Sequence, residues 1–506
     1  KFQRGVDMVF EAIFSGAEIL FTPMNMVLIS VAVVLGVVAG AIPGFTGTNT
    51  VAIALPFTLA MEPEVAIIFM SAVYVGANYG GAIPAVLINT PGTAGATATV
   101  LDAYPMSQKG LAGQAIGISI LASVIGGMVS AVVMLFLINP IAELAFMFGQ
   151  PEFFALAIFG IAALSSILGE NIRKGLLSGF LGLLIAAVTL DPITGQRRLD
   201  FGFPELYSNI PFVPIIVGLF AISELLYLIK KERISASSTE IDSYGEIREG
   251  FSKVLKRPFK TLRALSIGTI IGAIPGAGTS VANFISWGEA KRASDHPEKF
   301  GEGTPDGVIA SEASNNAVTS SSLIPTLVLG IPGSGTTAVM LGALLLHGIN
   351  PGPSLMETFG AEANAIILSL IVANVALLLF AFAISKYIVR VVVLPTEFIV
   401  PVILILTVIG MFALSSSMFQ PWFMLFFGIL GFIMREFNYS VIPLVLGVIL
   451  GPLAEGAFRR SLELSQGNLS IFFVSSEITI VLWIAIVLVF VGKPIVNNAR
   501  RLLSLY

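Results

Sequence analysis

The segment GAIPGFTGTN, residues 40–49, occurs again in nearly the same form as GAIPGAGTSV, residues 272–281. Each copy lies inside a long apolar run that contains no charged side chain. Proline cannot continue a helix beyond its first turn, and glycine weakens one, so each copy predicts a break in a helix. A break of this kind in apolar sequence, present twice, indicates a duplicated membrane protein with interrupted helices.

The composition agrees with a location in the lipid bilayer. The chain has 506 residues, of which 56% are hydrophobic and 11% are charged, whereas soluble proteins contain about 25% charged residues. Apolar stretches of about 20 residues, enough to span a bilayer as a helix, recur along the chain. We therefore predict an all-α polytopic membrane protein. Cysteine is absent, which excludes disulfides and cysteine metal sites.

A second pair of similar segments extends the duplication. AIPAVLINTPGTAG, residues 82–95, corresponds to LIPTLVLGIPGSGTT, residues 323–337. We call the four segments motifs A1 (40–49), B1 (82–95), A2 (272–281) and B2 (323–337). Two motifs in the same order in each half indicate an internal repeat. The predicted division is a leading helix at 1–23, a first transmembrane repeat at 24–229, a basic cytoplasmic linker at 230–263, a second transmembrane repeat at 264–467, and a closing helix and tail at 468–506.

The distribution of positive charge predicts how the two repeats are oriented. Residues 230–263, which precede the second repeat, contain nine Lys or Arg, whereas residues 11–23, which precede the first, contain none. Lys and Arg are enriched in short cytoplasmic flanks of membrane helices. The first repeat is therefore expected to begin outside the cell and the second inside, which makes the repeats inverted.

The four motifs are the predicted binding site. Irregular backbone at membrane depth is tolerated only where protein buries it or where it lines a water-filled cavity. In transporters, such breaks direct helix N-termini at anions and free carbonyl groups at cations. We expect the motifs to meet near the bilayer midplane. The predicted substrate-binding residues are Pro43, Gly44, Thr46, Thr48, Asn49, Asn89, Pro91, Gly92, Thr93, Pro275, Gly276, Thr279, Ser280, Pro332, Gly333, Ser334, Thr336 and Thr337.

Asparagine side chains in the apolar flanks suggest a site for a coupling cation. A buried amide without a partner is costly, which favours a functional role for the adjacent Asn315 and Asn316. Serine and threonine also bond to their own helix backbone, so a structural role stays open for each hydroxyl. No catalytic residue and no metal site is predicted. The predicted coupling-ion residues are Asn49, Asn78, Asn315, Asn316 and Thr319.

Three classes of function are weighed: a gradient-coupled importer, a channel or exporter, and a membrane-embedded enzyme. Motif A2 resembles a nucleotide-binding loop, but Thr279 stands where the phosphate-binding lysine is required, so no ATP-driven motor is predicted. An enzyme needs acids, histidines or metal ligands at membrane depth, which charge-free runs do not provide. A channel differs from an importer because it cannot accumulate its substrate.

Three stretches carry a family resemblance: residues 41–58, GAIPGAGTSVANFISWGEAKRAS at 272–294, and residues 300–353. They resemble the large membrane subunit of bacterial tripartite tricarboxylate transporters, the TctA family, and the similarity covers about residues 10–495. The resemblance implies about 12 transmembrane helices in the inner membrane and no enzymatic activity. It implies secondary active import of citrate-like di- or tricarboxylates, driven by sodium ions or protons, with no other cofactor. It also implies two partners, a small four-helix membrane subunit and a periplasmic binding protein. Which carboxylate and which ion are used stays open.

Overall fold

The computed structural model describes residues 2–168, 172–188, 191, 194–207, 211–230, 243–392 and 396–503. In these ranges the regular structure is helical. Six helical segments of the described part of the chain are long and apolar enough to cross a membrane, which confirms the prediction of an all-α polytopic membrane protein. They are Pro23–Gly40, Pro63–Ile88, Ala112–Ala145, Phe212–Lys230, Gly360–Ile388 and Ile442–Leu464.

The first half contains eleven α-helices within the described residues. The last two, α10 and α11, are joined by a π-helical turn at Gly218–Ile222, so they form one continuous segment. The helices are α1 (Phe2–Leu20), α2 (Pro23–Gly40), α3 (Gly47–Ala54), α4 (Pro63–Gly80), α5 (Ala82–Ile88), α6 (Thr97–Gln108), α7 (Ala112–Ala145), α8 (Gln150–Leu168), α9 (Ile172–Ala186), α10 (Phe212–Val217) and α11 (Ser223–Lys230).

The second half repeats the order of short and long helices. Its helices are α12 (Tyr244–Leu255), α13 (Pro258–Gly272), α14 (Gly278–Arg292), α15 (Pro305–Ser321), α16 (Leu323–Leu329), α17 (Gly335–Leu346), α18 (Leu355–Thr358), α19 (Gly360–Val392), α20 (Thr396–Ser415), α21 (Phe419–Glu436), α22 (Ile442–Leu464), α23 (Ile471–Val474) and α24 (Glu477–Leu503).

All four motifs interrupt helices, and the backbone at the breaks repeats between the halves. Gly44 in motif A1 has φ 86° and Gly276 in motif A2 has φ 80°. Side chains disfavour this left-handed region, which explains the glycine at both positions. In the B motifs a helix ends on a left-handed residue, Asn89 (φ 56°) after α5 and Gly330 (φ 68°) after α16.

Hydroxyl side chains cap the helical turn that follows three of the breaks; after the break in motif B1, Thr93 accepts from the Ala96 backbone N–H. Thr46 accepts a hydrogen bond from the Asn49 backbone N–H at the start of α3. Ser334 accepts from the Thr337 backbone N–H at the start of α17, and the Thr337 hydroxyl accepts in turn from the Ser334 N–H. These caps satisfy N–H groups that a helix cannot pair by itself.

The two halves interlock. Within each half the helix before motif A packs on the helix before motif B: α2 on α4, and α13 on α15. Between halves, the long helix α7 packs on α15, and its counterpart α19 packs on α4. The close contact of α2 with α4 depends on Gly36 and Gly76, because a Cβ at either would lie 2.4 Å from a carbonyl oxygen of the other helix.

The predicted linker 230–263 contains helical structure. It includes α12 and the start of α13, while residues 231–242 lie outside the described part of the chain. Helix α12 packs on α7 as α1 packs on α19, so α12 is the counterpart of the leading helix. Burial lowers the pKa of the Lys253 ammonium on α12, which donates a hydrogen bond to Gln114 of α7.

Candidate functional site

A cavity of about 580 Å³ lies where the four motifs meet. The first turns of α3, α14 and α17 line it, together with the turn that precedes α6. Eight of the predicted substrate-binding residues contribute to its wall. They are Thr46, Thr48, Asn49, Thr93, Thr279, Ser280, Ser334 and Thr336.

The other predicted substrate-binding residues do not line this cavity. Asn89 is exposed at the end of α5, and Thr337 is buried in the cap of α17. The remaining eight are prolines and glycines that shape the breaks behind the wall. They are Pro43, Gly44, Pro91, Gly92, Pro275, Gly276, Pro332 and Gly333.

Hydrogen bonds join each motif to one from the other half. The hydroxyl oxygens of Thr48 in A1 and Thr336 in B2 are 3.0 Å apart. Ser280 of A2 donates to the Ala94 carbonyl of B1 at 2.9 Å, and Asn283 donates to the Gly95 carbonyl at 2.7 Å. The cavity therefore lies between the two repeats, with both halves holding its wall.

The helix N-termini give the wall a positive electrostatic character. The first turn of a helix has backbone N–H groups without an intrahelical partner, and its end carries roughly half a positive charge. Three such ends, those of α3, α14 and α17, line the cavity. Helix α14 begins at Gly278 with no side-chain cap, so its end relies least on the protein's own side chains.

An arginine from outside the four motifs also lines the cavity. Arg435, near the end of α21, is the basic residue among the described residues of the wall. Its guanidinium forms an ion pair with Glu224 of α11, whose carboxylate also accepts a hydrogen bond from Asn49 at 2.9 Å. The Arg435 side chain keeps 24% of its exposure, against 5% for Glu224.

Sequence reasoning missed Arg435 because it stands outside the repeated motifs, at the end of an apolar run. Other missed contributors are Phe220, in the π-helical turn, and the segment that joins α21 to α22. π-helical turns occur often at functional sites. This turn is visible only in the structure, so it could not point to Phe220 from the sequence. The residues of the joining segment are Asn438, Tyr439, Ser440 and Val441.

Four of the five predicted coupling-ion residues form a separate cluster at the edge of the cavity. The Asn78 Nδ2 atom of α4 lies within 3.2 Å of four oxygens on α15: the Asn315 carbonyl and side-chain oxygens, the Asn316 Oδ1 and the Thr319 hydroxyl. Asn49 is apart from them, bonded to Glu224. The Nδ2 atoms of Asn315 and Asn316 are buried and have no hydrogen-bond partner among the described residues.

Known proteins of similar sequence identify the family of this chain. Residues 26–446 match the model of the family described as "Tripartite tricarboxylate transporter TctA family". A protein of Agrobacterium vitis named "Uncharacterized 52.8 kDa protein in TAR-I ttuC' 3'region" is 36% identical over 459 residues, which cover 90% of this chain and 91% of that protein.

A second relative from the same organism is shorter. It is named "Uncharacterized protein in TAR-II ttuC' 3'region" and is 32% identical over 234 residues, which cover 46% of this chain and 97% of that protein. The family match covers all four motifs and most of both repeats. The chain therefore belongs to the tripartite tricarboxylate transporter TctA family.

Proposed function

We propose that this chain is the substrate-translocating subunit of a secondary active transporter that imports di- or tricarboxylates, citrate-like in chemistry, with a sodium or proton gradient. The observation that carries the proposal is the single cavity in which three helix N-termini and Arg435 meet. Helix N-termini and guanidinium groups are the two protein groups best suited to bind carboxylates.

The arrangement favours substrates with more than one carboxylate. Motifs from both repeats reach the cavity, so N–H donors approach it from both halves of the protein. Arg435 adds a second kind of anchor, because its one ion pair with Glu224 leaves most of its five N–H donors for a ligand. A monocarboxylate would satisfy one anchor and leave the others unpaired. The volume of about 580 Å³ is within the usual range for small-molecule sites.

The oxygen cluster beside Asn78 is the proposed sodium site. The Asn78 NH₂ group has two hydrogens for four surrounding oxygens. Rotating this amide by half a turn would place Oδ1 within 3.2 Å of the same four oxygens, and these five neutral oxygens would then have no N–H between them and could bind a cation. Sodium is a hard cation, and hard cations prefer oxygen ligands. Asn78 also lines the cavity, which would couple this site to the substrate.

We further propose that the family's organisation holds for this chain. It would work with a small four-helix membrane subunit and a periplasmic binding protein in the inner membrane, and would cross that membrane about 12 times with inverted repeats. The repeated breaks and the exchanged packing of α7 and α19 support a two-fold relation between the halves.

Uptake by the reconstituted complex tests this function. Proteoliposomes with the chain and its two partners would be given labelled citrate with an inward sodium gradient, an inward proton gradient, both or neither. We expect accumulation above the external concentration with at least one gradient, and competition by succinate but not by acetate. Equilibration without accumulation under every gradient would support a channel instead and refute the proposal.

A further inference from the structure

A buried glutamate on α15 has no role in the cavity as described so far. Glu312 is fully buried, with 0% exposure. It lies one helical turn before Asn315 and Asn316, on the helix that carries the oxygen cluster. Its carboxyl oxygens lie 2.5 Å from the Thr99 hydroxyl oxygen of α6 and 2.8 Å from the Ser123 hydroxyl oxygen of α7.

No basic side chain neutralises this carboxyl among the described residues. Among the described residues, Tyr79 of α4 is the titratable group that faces it from a neighbouring helix, while Asp102 lies about one turn beyond Thr99 on α6. Asp102 is itself satisfied: three backbone N–H groups at positions 301, 303 and 304, and the Trp287 indole, donate to it. Tyr79 carries no positive charge.

The basic residues of the other helices packed on α15 have partners elsewhere. On α13, Lys260 pairs with Asp306, and Arg263 with Glu289 of α14. Also on α14, Arg292 pairs with Glu289, while Lys291 lies over the Trp287 ring. On α12, Lys253 donates to Gln114 of α7, and Arg248 lies over the Phe382 ring of α19. An ionised Glu312 would therefore be a buried charge without a counterion, which is strongly unfavourable.

The hydroxyl contacts around Glu312 accommodate a hydrogen on its carboxyl group. The Thr99 hydroxyl contacts both Glu312 and the Ser311 hydroxyl, the latter at 3.0 Å. Ser311 in turn contacts the Gly307 carbonyl at 3.1 Å, and a carbonyl accepts only, so this contact uses the Ser311 hydrogen. The single Thr99 hydrogen then serves Ser311. In this arrangement the Thr99 oxygen is available to accept a hydrogen from a protonated Glu312 carboxyl group.

We propose that Glu312 is the proton-binding site of the transport cycle. This role rests on the transport function proposed above, and in it Glu312 is the group through which a proton gradient acts. In the buried state Glu312 is a neutral carboxylic acid that donates to Thr99. When the transport cycle opens α15 to the external solution, the Glu312 carboxylate binds one proton. When the cycle opens α15 to the cytoplasm, the protonated Glu312 releases that proton. The membrane gradient supplies the proton, so charge and mass balance over one cycle.

The link to the substrate is one turn of α15. Asn315 and Asn316 contact Asn78, which lines the cavity, and Glu312 precedes them by three and four residues on the same face. A movement of α15 that follows occupation of the cavity therefore also moves Glu312.

The test compares two glutamine variants in the complete complex. Glu312→Gln keeps the shape of the neutral acid but cannot release a proton. Its matched control is Glu152→Gln, which alters a carboxyl on α8 that is 4% exposed and likewise bound by hydroxyls, those of Ser475, Ser476 and Thr479. With labelled citrate, Glu312→Gln should lose citrate accumulation driven by an inward proton gradient by about tenfold or more, and keep citrate–citrate exchange without a gradient. Glu152→Gln should keep both.

An infrared measurement tests whether Glu312 is protonated, independently of transport. At neutral pH, the wild-type protein and Glu152→Gln should show the carbonyl band of a buried protonated carboxyl that Glu312→Gln lacks. Absence of that difference, or proton-driven accumulation by Glu312→Gln at the wild-type level, would overturn the proposal. If wild-type complex accumulates no carboxylate while the band is present, the transport function and the coupling role fail together, and protonation of Glu312 stands.

Discussion

Arg435 and Glu224 form an ion pair in the wall of a cavity whose other groups are mostly neutral. The pair would neutralise the arginine while no ligand is bound, and Asn49 donates to the same carboxylate oxygen as Arg435 does. An incoming carboxylate would compete with Glu224 for the guanidinium. In this scheme Asn49 keeps Glu224 partly satisfied when the arginine turns to its ligand, because a buried carboxylate without donors is costly.

Replacing Arg435 by Gln is expected to weaken citrate binding by about 10- to 100-fold, since a hydrogen bond to a charged group contributes about 1.5–3 kcal/mol. Citrate affinity in the detergent-solubilised complex, measured by calorimetry, checks this. Arg198→Gln is the matched control, because Arg198 forms a comparable pair with Glu455 and does not line the cavity.

The Arg435 variant leaves Glu224 without its cation, so a second comparison separates binding from folding. If the double variant Arg435→Gln, Glu224→Gln binds citrate as tightly as the wild type, the arginine serves only to balance the glutamate. Unchanged affinity in the single variant would also rule out a role in binding.

The oxygen cluster gives a prediction for sodium coupling. Replacing Asn316 by Ala removes one of the oxygens around Asn78 and should raise the sodium concentration that half-activates uptake. Lys291→Ala, which alters a lysine over the Trp287 ring, should change sodium activation much less. Sodium titration of citrate uptake measures both. Normal activation in a well-folded Asn316→Ala protein would remove the cluster from the list of ion sites.

At the scale of elements, the sequence predicts the four helix breaks but not the residues from other segments that join them in the cavity wall. Proline and glycine act locally, so Pro43 and Pro275 indicate a break without knowledge of the fold. Arg435 reaches the cavity only because α21 packs on the π-helical turn and on α10 and α11. That contact joins segments about 200 residues apart in the sequence, and no local pattern encodes it.

The structure gives the glycines of the B motifs a packing role. The sequence predicts Gly92 and Gly333 as substrate-binding residues, but they do not line the cavity. A Cβ at Gly92 would lie 2.6 Å from the Gly40 carbonyl oxygen, and one at Gly333 would lie 2.9 Å from Ser322. Gly92 therefore lets the break after α5 lie against the backbone at Gly40. Gly333 lets the break after α16 lie against Ser322.

Gly92→Val and Gly333→Val should each abolish uptake while the protein still inserts in the membrane. The added side chains force backbone apart, and overpacking of this kind costs about 1–3 kcal/mol, enough to displace the motifs without unfolding the helices. Uptake per unit of membrane-inserted protein measures the effect. Gly288→Val is the control, since a Cβ there meets nothing within 4 Å. Normal uptake by either B-motif variant would show that the breaks tolerate displacement.

At the scale of the whole molecule, contacts between the two halves explain why a duplicated chain forms one shared cavity. Motif A1 bonds to B2, and A2 lies against B1, so neither repeat completes the cavity alone. The sequence predicts two repeats joined by the basic linker 230–263, which includes α12. The structure shows α12 as the counterpart of α1, a relation that depends on packing against α7 and α19 rather than on residue similarity.

The orientation of the repeats is the prediction that belongs to this scale. Met24 and Lys256 are 232 residues apart, the same separation as Pro43 and Pro275, and both side chains are exposed. In inverted repeats such equivalent positions lie on opposite sides of the membrane. The chain contains no cysteine, so single variants Met24→Cys and Lys256→Cys carry one thiol each.

In intact cells or sealed vesicles, a membrane-impermeant thiol reagent should label Met24→Cys from outside and Lys256→Cys only after the cytoplasmic face is opened. The nine basic residues of 230–263 are the physical reason, because Lys and Arg close to the ends of membrane helices are retained on the cytoplasmic side. Detergent-solubilised protein serves as the control, where both thiols should react. Labelling of both positions from the same side of the membrane would make the repeats parallel. The cavity would then still join four motifs, but the two halves could not exchange inward and outward states by symmetry.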